Sequence, residues 1–331
     1  MESSLTSLVQ LAARLSGLPM KACKQLAARM LSTSADGPWK STLNNDGSPL
    51  EVCIGLAQDG SPPAIRLIAD PAAQVDCNIP QSFRRDAALK SISASHAPDL
   101  LMLCQTLIEN ILPEDESLLA SLPNAGTWLA TDLSGRGMAI YTTAKWGSVE
   151  ARWVRARNWL DRILPDTHDT RAVLKRLSLR TVPVSAGLEG YSRARSNAKL
   201  YWRLIPDQPL DSLGIPLCRS PLLSHFLSFV IGDQAVAASG LLGSVGFNLG
   251  SGDLSSIKLD ICCHCVRHTS GEWVQILQAC VDRFGLAVPA WDWPSLFVGA
   301  EMAFLGLGLN MAASPHLNIY LKPVRMGRAA G

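Results

Sequence analysis

The chain has 331 residues, with 30 Lys and Arg against 28 Asp and Glu and a formal net charge of +2. So even a balance gives no electrostatic reason to expect nucleic acid or a membrane surface as partner, and the length admits one large domain or two ordinary ones. Nine Cys at irregular spacing, behind an opening MESSLTSLVQ that lacks a basic region before an apolar run, predict reduced thiols in the cytoplasm and no signal peptide.

Leu5 to Leu31 carries two helical stretches split at Gly17-Leu18-Pro19, with Leu8, Leu11 and Leu15, then Cys23, Leu26 and Met30, at helical spacing. Asn44 to Pro49 (NNDGSP) is a turn cluster, after which LEVCIGL and AIRLIAD form a hairpin across QDGSPP. Helical text follows at Gln81 to Leu89 and at Ala97 to Leu112, where Pro98 suits a first helical turn. A second hairpin, GTWLATDL with GMAIYTTAK, turns at Ser134 to Gly137. Ser148 then caps a helix to Leu164 with Val149, Trp153, Leu160 and Ile163 on one stripe, and a shorter helix spans Asp169 to Leu179.

The third hairpin runs from Val182 to Leu204. A Pro-rich connector leads to a helix capped at Ser220, and the most apolar zone, from Phe226 onward, is broken by Asp233 and several glycines short of the roughly 18 residues a spanning helix needs. SVGFNLG with SIKLDICCHC forms the fourth hairpin. A helix over Ser270 to Phe284 is expected next, capped by Ser270, ended by Gly285 and buried along Val274, Leu277, Val281 and Phe284. A short helix at Pro294 to Met302 precedes the fifth hairpin, which ends in NIYLKP; the residues from Arg325 read as a loose tail.

The hairpins repeat. Arg66, Ala139, Lys199, Lys258 and Asn318 stand at equivalent places in RLIADP, AIYTTA, KLYWRL, KLDICC and NIYLKP, the last four about 60 residues apart. Each is preceded by a strand ending in a related tetrapeptide, such as Gly187-Leu188-Glu189-Gly190 or Gly308-Leu309-Asn310-Met311. Side chains alternate faces along a strand, so Lys199, Tyr201 and Arg203 point one way while Leu200, Trp202 and Leu204 point the other. If the aliphatic faces meet the amphipathic helices, the polar faces line a lumen. The expectation is an α+β fold: one domain over residues 1–331 in five ββ repeats (1–72, 81–146, 148–205, 219–266 and 270–323), closed as a barrel of ten antiparallel strands with helices outside.

The predicted inward set is Arg66, Ile68 and Asp70; Ala139, Tyr141 and Thr143; Lys199, Tyr201 and Arg203; Lys258, Asp260 and Cys262; Asn318, Tyr320 and Lys322. Cations brought together from several strands repel one another and call for an anion. A diphosphate fits, because Lys and Arg give charge-assisted hydrogen bonds to its oxygens. Tyrosine faces beside it stabilise a carbocation by about 0.5–2 kcal/mol each, so the implied chemistry is ionisation of an allylic diphosphate followed by attack from an electron-rich ring.

These residues resemble a known family. NNDGSPLEVCIGL with AIRLIADP is similar to the opening repeat of the dimethylallyltryptophan synthase-type aromatic prenyltransferases, AKLYWRL to their Lys-x-Tyr strand and SPHLNIYLKP to their closing strand. The resemblance covers residues 44–323 and implies the ABBA barrel, indole prenylation and a place in secondary metabolism such as alkaloid biosynthesis. It implies that Glu51 binds the indole N–H as the catalytic group. Arg66, Lys199, Tyr201, Arg203, Lys258, Tyr320 and Lys322 are then diphosphate ligands, and Tyr141, Tyr201 and Tyr320 the cation shield. The partners implied are dimethylallyl or geranyl diphosphate and a small aromatic acceptor, for a protein that is a monomer or weak dimer. The sequence departs from the family at Ala139, where a Lys is usual, and at Asp260, where a Tyr is usual. No cofactor is required, although a Mg²⁺ bridging Asp260 to phosphate could replace the missing cation.

Other signals weigh less. Cys262, Cys263, His264, Cys265 and His268 would not converge on zinc if the strand alternates through them. Gly306-Leu307-Gly308 lacks the third glycine and following helix of a dinucleotide site, and Trp291-Asp292-Trp293 reads as core packing at a helix start. No Asp-Asp-x-x-Asp is present, against the helical three-metal isoprenoid synthases. Two alternatives stay open: the same fold prenylating a phenol or a peptide Trp or Tyr, and a non-catalytic repeat protein that binds an anionic ligand.

Overall fold

A computed structural model describes residues 4–31, 41–73, 81–93, 98–122, 125–135, 137–190, 195–232 and 240–324. The predicted Arg325 tail and the turn residue Arg136 lie outside these. The chain runs α1 (Ser4–Ser16), α2 (Met20–Leu31), β1 (Leu50–Ala57), β2 (Ala64–Ala69), α3 (Gln81–Ser93), α4 (Pro98–Ile111), α5 (Glu116–Ala120), β3 (Thr127–Asp132), β4 (Met138–Thr143), α6 (Val149–Ile163), α7 (His168–Ser178), β5 (Thr181–Gly190), β6 (Ser196–Leu204), α8 (Pro221–Ile231), β7 (Leu241–Asn248), β8 (Leu254–Cys262), α9 (Ser270–Phe284), β9 (Ala300–Asn310) and β10 (Pro315–Pro323). The five hairpins pair antiparallel in sequence order, and β1 pairs with β10 to close the barrel.

Strand alternation decides what is inside. Leu50, Val52, Ile54 and Leu56 of β1 and Leu317, Ile319 and Leu321 of β10 are buried in one cluster with helix residues such as Leu8, Leu107, Trp159, Leu177, Phe226 and Leu277. That core therefore lies between the outer barrel face and the helices, where burying each aliphatic stabilises the fold by about 1.5–3 kcal/mol. Residues one place along the strands form a separate small cluster of Cys53, Ile68, Ala130 and Ala139, packed by Leu43, Tyr141 and Tyr320. Its separation from the main core marks the lumen wall.

Helix boundaries follow local chemistry. Gly17, at φ 71, ends α1, and the Ser148 side chain accepts from Ala151 N as the cap of α6. Three expectations are corrected. The cap of α9 is Thr269, not Ser270, because Thr269 and Glu272 form a reciprocal capping box. The helix expected at Pro294 to Met302 is a short 3-10 turn, Trp293–Phe297, and Ala300 onward is strand, since pairing with β10 outweighs the helical propensity of AEMAF. Cys263–Cys265 is also a 3-10 turn, so strand alternation stops at Cys262.

The eight cysteines among the described residues are free thiols. Among the same residues no helix is long and apolar enough to cross a membrane.

Candidate active site

Hairpin turns gather at one end of the barrel, and helix connections at the other. A cavity of about 240 Å³ opens at the helix end. It is lined by Glu51, Ile68, Tyr141, Tyr201, Arg203, Lys258, Asp260 and Tyr320, all anticipated from sequence, and also by Thr42, Leu43, Trp128, Lys145, Val184, Ser185, Leu242 and Phe304. Trp128 and Phe304 stand directly across from Tyr141 and Tyr320 in the hairpins. Only a derived register would have found them.

Tyr201 of β6 and Tyr320 of β10 flank one ammonium, and Tyr141 of β4 backs Tyr201. Lys258 Nζ lies 5.0 Å from the Tyr320 ring centroid and 5.9 Å from that of Tyr201, and donates to the Tyr320 hydroxyl at 2.8 Å. Tyr141 meets Tyr201 edge to face at 5.9 Å. The cage thus already stabilises a cation. Burial pushes all three phenols up in pKa, so they stay protonated. Gly187 makes this geometry possible: a Cβ there would strike the Tyr141 ring and the Ile140 carbonyl. Tyr141 and Tyr320 pack against the apolar patch of Cys53, Ile68, Ala130 and Ala139, to which Ala139 contributes what a lysine could not.

Glu51 sits at the helix end of β1 with 2% of its surface exposed. Burial pushes its carboxyl up to about 8, against the opposing pull of Lys322, while Asp260 and Asp46 push it further up. Its Oε1 has no hydrogen-bond partner within the protein. A buried acceptor left open in a cavity wall is costly unless a ligand satisfies it.

Several of the predicted lumen cations are engaged in ion pairs. Asp260 Oδ2 pairs with Lys258 Nζ at 2.8 Å. Glu189, absent from the predicted set, bridges Arg66 and Lys199, and those two residues lie toward the hairpin turns, outside the cavity lining. Lys322 is not on the cavity wall either; it donates to Asp46 at 2.7 Å and Asn45 at 3.2 Å and pairs with Glu301 at 3.0 Å. Asp70 faces away from the site chemistry: it accepts from Ser41 Oγ, Thr42 N and Ala72 N and lies 3.8 Å from Arg84. It thereby anchors the segment that places Thr42 and Leu43 over the cavity. Thr143 and Cys262 are buried outside the lining, and Asn318 lies beside Gly55. His316, nearer the turns, is pushed down to about 4 by burial and by Lys199 and Lys258, which keeps its imidazole neutral.

Magnesium is held by carboxylates together with phosphate, and Asp260 is poorly placed for it: Oδ2 is paired with Lys258, and Oδ1, though without a partner, is buried in the space a Cβ on Gly306 would take. These residues do not fit a Mg²⁺. Among the described residues no group of three or more His, Cys, Asp or Glu could hold a metal, and that includes the cysteines and histidines after β8.

No protein-family model matches the chain, and no curated protein matches its sequence. Solved structures do. The 5-dimethylallyltryptophan synthase from Streptomyces coelicolor superposes with a TM-score of 0.74 at 16% identity, covering 99% of this chain and 98% of its own; it is also known in complex with DMASPP and Trp. The 6-dimethylallyltryptophan synthase from Micromonospora olivasterospora, in complex with the same pair, gives 0.73 at 16% identity over 96% of each chain. AnaPT from Neosartorya fischeri gives 0.71 at 13% identity, covering 98% of this chain and 93% of its own. At such identities the likeness speaks for architecture: the chain adopts the ABBA barrel fold of the dimethylallyltryptophan synthases and related indole prenyltransferases.

Proposed function

We propose that the protein is an aromatic prenyltransferase that moves a dimethylallyl or geranyl group from its diphosphate to an indole, tryptophan or a compound derived from it. The observation that carries the reading is one cavity shared by the Lys258 ammonium against the rings of Tyr201 and Tyr320, by Tyr141 edge-on to Tyr201, and by Glu51 with its unpaired Oε1. Its neighbours in fold that bind DMASPP and Trp add weight.

In this mechanism the C–O bond between the allyl carbon and the diphosphate breaks, and the electron pair leaves with the phosphate oxygen. Lys258, helped by the hydroxyls of Tyr201 and Tyr320, meets the developing negative charge, while Arg66, Lys199 and Arg203 complete the grip. Lys322, tied to Asp46, acts instead by steadying the loop beside Glu51. The faces of Tyr141, Tyr201 and Tyr320 stabilise the allylic cation and exclude water. A ring carbon of the acceptor then attacks the cation, and transfer of the ring proton to the released diphosphate restores aromaticity. Glu51 accepts a hydrogen bond from the indole N–H, which holds the ring and raises its nucleophilicity. A neutral carboxyl still has its carbonyl oxygen for that bond, so the raised pKa does not remove the role.

We assign the protein as a soluble cytoplasmic enzyme, a monomer or weak dimer, that needs no nucleic acid or membrane. The test is incubation with dimethylallyl and geranyl diphosphate and a panel of indoles and phenols, with products read by mass. An indole bearing one prenyl unit is expected. Prenylated phenols alone would move the acceptor class, and no product with any pair would refute the reading.

A further inference from the structure

Arg66 of β2 and Lys199 of β6 reach the same carboxylate, Glu189 of β5. Their side chains are 35%, 19% and 14% exposed for Arg66, Lys199 and Glu189, so the triad is partly accessible but largely withdrawn from water. On either side of Glu189 in register stand Ala139 and Asn197, neither of them charged. A carboxylate that bridges a guanidinium and an ammonium uses the same charge-assisted hydrogen bonds that a phosphate oxygen would use. Around the tyrosine cage, Arg66, Lys199 and Lys258 bring three positive charges, and Glu189 and Asp260 bring two negative ones. One net positive charge remains in these two clusters, and Arg203 and Lys145 on the cavity wall add two more to meet a diphosphate. Burial holds only paired charges cheaply, which accounts for the pairing.

We propose that Glu189 is an internal counter-anion of the donor subsite: its carboxylate occupies the place of a diphosphate on Arg66 and Lys199, and the donor binds by displacing it. The inference rests on the prenyltransferase reading for the identity of the donor, but not for the competition itself. Glu189 does not touch reacting atoms. It sets donor affinity, because every diphosphate that binds must first break two ion pairs. Burial alone would push this carboxyl up; Arg66 and then Lys199 hold it well below the usual range instead, so the competing anion persists at any pH where the protein works.

The probe is inorganic pyrophosphate, titrated calorimetrically into the full chain without acceptor. Glu189→Gln is expected to bind it at least about tenfold more tightly than the wild type, and Glu189→Asp, which keeps the charge but withdraws it by one methylene, to lie between them. A thermal melt gives a second readout: pyrophosphate should raise the melting temperature of Glu189→Gln by more than that of the wild type. Equal or weaker pyrophosphate affinity in both variants would overturn the proposal and leave Glu189 as a strut. Tighter binding without prenyl transfer by the wild type would remove the enzymatic reading and keep the counter-anion. Prenyl transfer by the wild type with unchanged affinity in the variants would do the reverse.

Discussion

Glu51→Gln probes the buried carboxyl from two directions. The folded protein holds this group at about 8 against 4.5 for the free carboxyl. Between those values the folded state keeps a proton that the unfolded state releases. Stability of the wild type must therefore fall as pH rises through that window, since the unfolded state binds fewer protons there. At about 1.36 kcal/mol per pH unit, the penalty is roughly 3 kcal/mol at pH 7. Glutamine has no charge to desolvate, so the variant should match the wild type near pH 4.5 and exceed it increasingly up to pH 8. Urea unfolding at pH 5, 6, 7 and 8 measures the difference. Activity should diverge with pH: the variant keeps pyrophosphate binding, matches the wild type near pH 6, where the carboxyl is neutral, and falls behind above pH 8, where the wild-type carboxylate is the stronger acceptor for the indole N–H. Parallel stability profiles for the two proteins would refute the assignment of Glu51 as a desolvated carboxyl.

Lys258→Met leaves buried Asp260 unpaired and should cost about 3–5 kcal/mol in urea unfolding; adding Asp260→Asn should restore much of that stability and none of the prenyl transfer. Gly306→Ala drives a methyl group into Asp260 Oδ1. It should destabilise by about 1–3 kcal/mol and weaken donor binding through Lys258, read as a raised KM for the diphosphate. Asp70→Asn removes the charge that holds Ser41 and Thr42. A stability loss of about 1–3 kcal/mol is expected, with faster amide exchange in residues 41–44.

The barrel was legible because its two faces obey different chemistry at a spacing the chain repeats. Apolar residues at Leu200, Trp202 and Leu259 face the helices, and Tyr201, Lys258 and Tyr320 face the lumen. Glycine is the less obvious half of the pattern. Gly187 and Gly306, on first strands, leave room for Tyr141 and Asp260 on the second strands of the preceding hairpins, so at these two seams between repeats a bare position meets a larger side chain. What escaped the sequence depends on partners from other repeats. Glu189 reads as part of a turn tetrapeptide until Arg66, 123 residues earlier, is placed beside it. Lys322 has the spacing of a lumen cation, yet Asp46 and Glu301 hold it at the rim. Charges in a closed barrel are set by which neighbours neutralise them, and spacing along one strand does not contain that information.

The central claim, that the tyrosine cage is where an allylic cation forms beside an aromatic acceptor, is tested most directly by a crystal structure with dimethylallyl thiolodiphosphate and tryptophan. The account predicts the C5 unit among Tyr141, Tyr201 and Tyr320, the indole N–H on Glu51, and the diphosphate on Arg66 and Lys199 with Glu189 displaced. A diphosphate bound elsewhere, with Glu189 still joined to Arg66 and Lys199 and the cage empty, would contradict it.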